Sequence, residues 1–286
     1  MLKVIDSNRL RSARTRAFLG ASTSHAVVLT DYVSMEAYKG GSIDGLRKSF
    51  EVLIDYPSQV KLLFGTTAIA KMQIGAGVSS EAMIDQAGSV QFDDFCRALY
   101  SNSEQGSLFS KHFESCATDA SNFLLDLADN LDGIEMDIQQ VASDLPKEGL
   151  SRLRQGGPLP RAMLDRIQDD ILEMARGYFD ADPGFSAGVS NRNYIYRLPF
   201  RFALTNYLTA LWWVQVGNGK GAKPDKFRND VVDSCIVAYA TYFNGVLSSD
   251  RKVNSVYEHA CHLLEHMFGA TPGPVEYNQA MPPDVG

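Results

Sequence analysis

Short, almost continuous apolar runs alternate with amphipathic stretches along the chain. Residues 2–6 and 26–30 are apolar runs of a length that suits buried parallel strands, and a third short run lies at 246–247. Residues 43–55 carry apolar side chains on one side of a helix, and Pro57 ends that pattern. This alternation predicts a parallel sheet flanked by helices.

The middle and the end of the chain follow a helical period instead. Ser79, Ser80 and Glu81 precede a pattern that runs to about Tyr100, and we expect them to cap a helix there. The other predicted helices cover residues 111–131, 159–178, 199–216 and 253–268. The clearest break in the pattern lies at 155–158. The middle of the chain is therefore predicted to be mostly helical.

Composition and charge describe an ordinary globular protein. The chain has 286 residues, of which 45% are hydrophobic and 21% are charged, so it can bury a sizeable core. This length suits one domain with a large insertion, or two domains. The formal net charge of −7 excludes a broadly basic surface, so any contact with nucleic acid must be local.

Cysteine usage and the apolar runs indicate a soluble, cytoplasmic protein without a membrane partner. The four cysteines show no paired spacing, which predicts reduced thiols; they are Cys96, Cys116, Cys235 and Cys261. Charged residues near the N-terminus leave no apolar run for a signal peptide. The longest apolar stretch, 202–216, is too short and too polar to span a bilayer, which takes about 20 apolar residues.

Carboxylates follow the strands or stand near the predicted start of a helix. Asp6 follows the first apolar run and Asp250 follows the third, so both should lie at strand tips. Glu36 comes after the second run, and Asp233 stands at a predicted helix start with Asp230 one turn before it. Carboxylates brought together at such positions hold divalent metal ions against phosphate.

Taken in order, these residues resemble the PIN domain family of metal-dependent nucleases. That family opens with an apolar strand and Asp-Ser/Thr-Asn/Ser, which matches residues 6–8, and it places a Glu after the second strand, which matches Glu36. Its third acid heads a stretch rich in Ile and Ala, as Asp233 does. A glycine, a strand and Ser/Thr-x-Asp then follow, which matches residues 245–250 and is the most specific part of the resemblance.

The resemblance implies an α/β fold with a PIN-like parallel-sheet core flanked by helices. It covers roughly residues 1–56 and 200–270. A compact PIN domain is usually about half as long as this chain, so the stretch between these two parts is expected to be an insertion or a second domain. We therefore predict a discontinuous nuclease core, residues 1–56 and 200–286, and a mostly α-helical insertion or subdomain at 57–199.

The implied activity is metal-dependent hydrolysis of RNA phosphodiester bonds, with DNA a less favoured substrate. The implied cofactor is Mg²⁺ or Mn²⁺, which activates water. The catalytic residues and metal ligands would be Asp6, Glu36, Asp233 and Asp250. Asp230 would replace or support Asp233 as a ligand, while Asn8 and Ser248 would orient a bound water or a phosphate oxygen. The resemblance is also compatible with a homodimer, with a regulatory protein partner and with a toxin-like role.

Basic residues near the predicted site are candidates for the local nucleic-acid surface. Two groups flank the acids in the sequence: Arg9, Arg11 and Arg14, then Lys223 and Arg228. A third group mixes cations with aromatic rings that could stack on unpaired bases: Arg192, Tyr194, Tyr196, Arg197 and Arg201. A helix edge that packs these aromatic rings into the core is the favoured interpretation.

Other interpretations of these residues stay open. A single Asp at a strand tip or helix start is most often a cap or a turn former, so only the joint pattern supports a metal site. His259, His262 and His266 share a helical face at a spacing that can hold zinc, and a solvated helix face explains them equally well. The main alternative to a nuclease is a catalytically silent PIN-like module whose helical insertion binds a protein or RNA partner.

Overall fold

A five-stranded sheet organises the protein. The computed structural model describes residues 1–75, 79–101, 108–129, 140–186, 193–217 and 224–270. The strands are β1 (Leu2–Ile5), β2 (Ala26–Leu29), β3 (Val60–Leu63), β4 (Ile84–Asp85) and β5 (Val246–Leu247). Their spatial order is β4-β3-β2-β1-β5, and among the strand pairs of the described residues only β3 and β4 run antiparallel. The predicted α/β class with a mostly parallel sheet is confirmed.

Strand β1 lies inside the sheet, between β2 and β5. Val4 pairs with Val28 on one side and with Val246 on the other, and both neighbouring strands run parallel to β1. β2 is a continuous apolar run that is buried throughout, and β1 is buried from Lys3 to Ile5, as strands with a covered sheet on both faces require. β2, β3 and β4 follow one another on one side of β1, and β5 lies on its other side. The carboxyl end of β1 is therefore a point where the strand order reverses. Open α/β sheets bind ligands at such points.

Helices pack around this sheet, and most of them lie where the apolar periodicity predicts a helix. Those whose two ends are described are α1 (Ala13–Gly20), α2 (Asp31–Tyr38), α3 (Ile43–Phe50), α4 (Thr66–Lys71), α5 (Gln86–Ser101), α6 (Leu108–Asp129), α7 (Lys147–Arg154), α8 (Arg161–Ala181), α9 (Pro183–Ser186), α10 (Leu198–Val216), α11 (Pro224–Ala240) and α12 (Arg251–His266). Helix α10 is almost entirely buried, because it packs against α8, α11 and α12.

Two strands come from the segment that the sequence predicts to be a helical insertion. β3 pairs with β2, and β4 pairs with β3, so the sheet continues past residue 56. β4 is only two residues long and gives no clear strand signal, whereas β3 carries Lys61 at the same position as Lys3 in β1, so its pattern is compatible with a strand. The division of the chain into a nuclease core and an insertion stays a prediction, but residue 56 is not an edge of the sheet.

The predicted helix cap at Ser79 is wrong. Ser79 Oγ accepts a hydrogen bond from the backbone nitrogen of Glu81 at 3.2 Å, and this caps only a 3₁₀ turn, Ser80–Met83. Strand β4 follows that turn, and α5 begins at Gln86. Within the described segments, no helix combines the length and the apolar character needed to cross a membrane.

Candidate active site

The carboxyl end of β1 is where the predicted acids meet. Asp6 directly follows β1, and Asp250 follows β5 after two serines. Glu36 lies on α2, the helix after β2. Helix α11 carries Asp230 and Asp233 and packs against β1. We call these five residues the acidic cluster.

Asp6 is fixed by its own neighbours. Its carboxylate accepts hydrogen bonds from Asn8 Nδ2 at 2.6 Å and from the backbone nitrogen of Asn8 at 3.4 Å, so it caps the 3₁₀ helix Ser7–Arg9. The hydroxyl of Ser248 donates to Asp6 Oδ2 at 2.5 Å. Asp6 is 2% exposed. The Asp-Ser-Asn motif therefore forms a cap, as the simpler interpretation predicts, and also holds a buried carboxylate in one orientation.

Asn8 and Ser248 join the end of β1 to the turn after β5. Asn8 Nδ2 lies 3.3 Å from Ser248 Oγ, and Asn8 Oδ1 accepts a hydrogen bond from the backbone nitrogen of Ser249 at 3.0 Å. Ser248 Oγ accepts one from the backbone nitrogen of Asp250 at 3.0 Å. These hydrogen bonds position Asp6 and the segment that leads to Asp250. A role of Asn8 and Ser248 toward a metal-bound water stays a prediction.

Asp230 and Asp233 lie in the middle of a helix, so their predicted position at a helix start is wrong. Helix α11 begins at Pro224, because the fixed φ of proline suits the first helical position. The Nζ of Lys252, on α12, pairs with Asp230 Oδ1 and lies 2.8 Å from Asp233 Oδ2. Trp213 Nε1 also donates to Asp230 Oδ2 at 2.5 Å. Asp230 is 5% exposed and is the more enclosed of the two acids.

Glu36 and Asp250 lie at the periphery of the acidic cluster. Glu36 pairs with Lys39 at 3.0 Å. Asp250 is the N-cap of α12, where it accepts a hydrogen bond from the backbone nitrogen of Lys252 at 2.6 Å. Burial raises the pKa of Asp6, and the charges of Glu36 and Asp250 raise it further. Both peripheral acids therefore act on Asp6 through space.

Asp233 is the most perturbed acid of the site. Burial raises its pKa to about 7; the ion pair with Lys252 opposes this, and the charges of Asp6 and Asp230 add to it. Burial lowers the pKa of Lys252, but the charges of Asp233 and Asp230 outweigh burial and raise it overall. The pair with Lys252 therefore does not offset the effect of burial on the pKa of Asp233.

The raised pKa of Asp233 predicts how stability depends on pH. The folded protein binds the proton of Asp233 more tightly than the unfolded chain, whose aspartate keeps the ordinary pKa of 3.8. The resulting stabilisation is complete below about pH 4 and is lost as the pH rises through about 7. We expect the melting temperature of the wild type, relative to Asp233→Asn, to fall across this window and to level off above it. Melting curves of both proteins over that pH range check this, and a constant difference would contradict the raised pKa.

The acidic cluster fits a divalent cation in its donor chemistry. Mg²⁺ and Mn²⁺ prefer carboxylate oxygens, and the carboxylates here outnumber the one buried lysine among them. The donors are not already arranged as a metal site: no group of three His, Cys, Asp or Glu side chains with that capacity occurs in the described part of the chain. Hydrogen bonds and ion pairs from Asn8, Ser248 and Lys252 engage the carboxylate oxygens instead.

Lys252 and Trp213 are the two residues at the site that the sequence does not reveal. A lysine two positions after Asp250 is a weak signal, although a buried pair of acids requires a cation and so gives a reason to search for one. Trp213 lies on α10, and nothing in its sequence surroundings indicates a contact with Asp230.

Basic residues line a cavity beside the acidic cluster. This cavity, of about 230 Å³, is bordered by Lys3, Arg9 and Arg14, by the carboxylate of Glu258 and by Ser248. Ser248 belongs to both places, because its hydroxyl also contacts the acidic cluster. We call it the basic cavity. Two of the predicted nucleic-acid residues, Arg9 and Arg14, therefore lie next to the acids.

The other predicted basic residues have different positions. Arg11 is exposed and Arg228 is half-buried, while Lys223 lies outside the described residues.

The aromatic rings of the third group pack against the core, as the favoured interpretation predicts. Tyr194 and Tyr196 are partly buried there. Arg197 and Arg201 are each 1% exposed, so neither can stack on a base. Arg192 lies outside the described residues.

The three histidines of the alternative zinc site lie on α12. Their rings do not form a metal site among the described residues. His259 Nδ1 lies 2.7 Å from the carbonyl oxygen of Ser255, and the rings of His262 and His266 stack with their centres 4.3 Å apart. These contacts hold the rings along an exposed helix face, which agrees with the simpler interpretation.

No protein-family model matches this chain, and it has no match among curated proteins or among solved structures. Its function is therefore inferred from its residues and their geometry.

Proposed function

We propose that this protein is a PIN-like, metal-dependent nuclease that hydrolyses RNA phosphodiester bonds at the acidic cluster. One observation carries the proposal: the acidic cluster gathers at the carboxyl end of β1, where the strand order reverses. The order of these acids along the chain also agrees with the resemblance to the PIN family. Among the described residues, the five acids outnumber the two lysines that pair with them, Lys252 and Lys39.

The proposed metal ion is Mg²⁺ or Mn²⁺, and when bound it would lower the pKa of a water molecule and offset charge on the phosphate. Its proposed ligands are Asp6, Glu36, Asp233 and Asp250. Asn8 and Ser248 support this role, because they hold the Asp6 carboxylate in one orientation. Lys252 would keep Asp230 neutralised, since Asp230 is the more buried of its two partners.

The basic cavity supports a polyanionic substrate. In a chain of net charge −7, three cations face one carboxylate in this cavity. Ser248 connects it to Asp6, so a phosphate bound there would lie one side chain away from the acidic cluster. We propose that the cavity holds a backbone phosphate of the RNA strand.

Arg14→Glu tests the basic cavity. We expect RNA to bind about tenfold more weakly at low salt, because the change reverses a charge that lines the cavity proposed to hold a backbone phosphate. Arg16→Glu is the matched control, since Arg16 lies on the same helix but pairs with Asp55 at 2.5 Å and does not line the cavity. Titration of labelled RNA at several salt concentrations measures both variants. Equal affinities for the two variants would remove the basic cavity from the proposal.

The nuclease proposal is tested by cleavage of a panel of single-stranded and structured RNAs, with DNA for comparison. The reactions contain Mn²⁺, Mg²⁺ or EDTA. Cleavage that needs the metal and favours RNA supports the proposal. A folded protein that cuts nothing on the panel would contradict it, and preferential cleavage of DNA would correct the substrate.

A second candidate is a catalytically silent PIN-like module that binds a partner. One specific observation favours it: Lys252 pairs with both Asp230 and Asp233, where a metal-dependent enzyme would need a free carboxylate. The two functions differ in their response to metal. A nuclease site that binds Mn²⁺ raises the melting temperature of the protein through linkage, whereas a silent module does not require any such rise.

A further inference from the structure

An apolar cavity lies among α7, α8, α10 and α12, and none of the acidic cluster lines it. Its volume is about 390 Å³. Among the described residues, ten of the fourteen lining side chains are apolar; Leu164 and Ile167 on α8 and Leu208 and Trp212 on α10 belong to them. Protein interiors are close-packed, and a cavity of this size is far larger than an ordinary packing gap and falls in the range of ligand pockets. We call it the apolar cavity.

Water does not suit the interior of the apolar cavity. At about 30 Å³ for each molecule in the liquid, the volume would hold roughly a dozen waters. Each water molecule would need two to four hydrogen-bond partners, about the number that buried waters have in proteins. The lining offers only four polar side chains, Gln215, Ser255, His259 and His262, and no charged group among the described residues. An apolar occupant therefore fits this cavity better than solvent does.

The polar side chains form one rim of the apolar cavity. His259 and His262 are exposed, whereas Ile167 is 2% exposed and Leu208 is 8% exposed. His259 Nδ1 lies 2.7 Å from the carbonyl oxygen of Ser255, which can only accept, so Nδ1 carries the proton. Nε2 then accepts a hydrogen bond when the ring is neutral and donates one when it is protonated. The rim therefore suits a ligand atom that can use either state, such as a hydroxyl or carboxylate oxygen.

We propose that the apolar cavity binds a small amphiphile with an alkyl or aryl body and a single oxygen-bearing head. The body would lie among Leu164, Ile167, Leu208 and Trp212, and the head would meet His259 at the rim. The volume of about 390 Å³ lies within the range of small-molecule pockets, about 300–1,000 Å³, and so favours a small molecule over a protein partner. This proposal does not depend on the nuclease proposal, since the cavity shares no residue with the acidic cluster.

Octanoic acid and octanol are suitable probes, because they share a chain and differ only in the head. Each is titrated into the full chain while the melting temperature is followed. Tryptophan emission gives a second signal, since the chain has only two tryptophans and Trp212 lines the cavity. We expect a rise in melting temperature and a change in emission, and we expect Trp212→Phe to keep the rise in melting temperature and to lose most of the emission change. A larger rise with the acid would assign a carboxylate head, and a larger rise with the alcohol would assign a hydroxyl head.

Leu164→Trp fills the cavity without adding charge, and the half-buried position of Leu164 leaves room for a larger ring at its edge. We expect it to weaken both probes by about tenfold or more. Val90→Trp is the matched control, because Val90 is 79% exposed and does not line the cavity. His259→Phe should weaken the preferred probe by about tenfold through loss of one hydrogen bond. The proposal is overturned if neither probe raises the melting temperature of the wild type, or if Leu164→Trp binds as well as Val90→Trp does.

Discussion

Asp233→Asn is expected to lower the rate of Mn²⁺-dependent RNA cleavage about a thousandfold, because a metal ion held by carboxylates supplies several kcal/mol of transition-state stabilisation. The variant should stay folded. Its amide has the size of the carboxyl group and removes a charge whose burial raises the pKa of Asp233 to about 7. Asp230 still pairs with Lys252 in the variant. A loss of cleavage would therefore report chemistry and not unfolding.

Asp6→Asn should cause a similar loss of cleavage, and single-turnover rates with the same RNA measure both variants. The matched control is Asp93→Asn, because Asp93 is a half-exposed carboxylate that pairs with Arg97 on α5 and lies outside the acidic cluster. We expect its rate to equal that of the wild type. Cleavage that survives in both Asp6→Asn and Asp233→Asn would mean that the acidic cluster is not the catalytic site. Equal losses of cleavage rate in Asp6→Asn, Asp233→Asn and Asp93→Asn would mean that removal of any one carboxylate lowers the rate, and would not assign catalysis to the acidic cluster.

The strands that carry the site are visible in the sequence because they are buried on both faces. Such strands give mostly apolar runs, which β2 shows without a break and β1 shows with Lys3 as its one polar residue. β4 is too short to show a period, and β3 has almost the same pattern as β1, with a lysine at its second position and two residues that are only partly buried. Pairing with a neighbouring strand, which no local pattern encodes, places them in the sheet.

The start of α11 shows a different limit of local patterns. Its first two turns are mostly polar, so apolar periodicity begins only near Asp230, and the sequence therefore places the helix start too late. The consequence reaches the site. Asp230 and Asp233 are mid-helix side chains that need a partner from another element, whereas acids at a helix start would meet free backbone N–H groups.

The partner of those acids could not be predicted from spacing alone. Lys252 lies 22 positions from Asp230 and 19 from Asp233 along the chain, and their contact depends on how α11 packs against α12. In contrast, Asn8 and Ser248 are identifiable from the motifs around Asp6 and Asp250, because each hydrogen-bonds within or beside its own turn. The site is therefore readable where its contacts are local and hidden where they are tertiary.

Lys252→Met is expected to lower the free energy of unfolding by about 3–5 kcal/mol in metal-free buffer near neutral pH, because it leaves two buried carboxylates without their cation. The Lys252 side chain is 8% exposed and that of Asp230 is 7% exposed, so solvent screens their pair weakly. The cost should shrink as the pH falls through about 7, because protonation of Asp233 removes one of the two charges that Lys252 balances. Lys39→Met is the control: it removes a pair with Glu36 whose lysine is 42% exposed, and its effect should stay below about 1 kcal/mol.

The response of Lys252→Met to Mn²⁺ distinguishes the two candidate functions. In a nuclease, the variant frees Asp233, a proposed ligand, from Lys252 and makes Asp230 available as a further ligand. Mn²⁺ should therefore restore most of the lost stability and raise the melting temperature of the variant more than that of the wild type. In a silent module, only Asp230→Asn and Asp233→Asn added to Lys252→Met should restore it, because neutral amides need no cation. Urea titrations of the wild type, of Lys252→Met and of the triple variant, with and without Mn²⁺, measure these changes in stability. A Lys252→Met protein as stable as the wild type would contradict the buried ion pairs on which both outcomes depend.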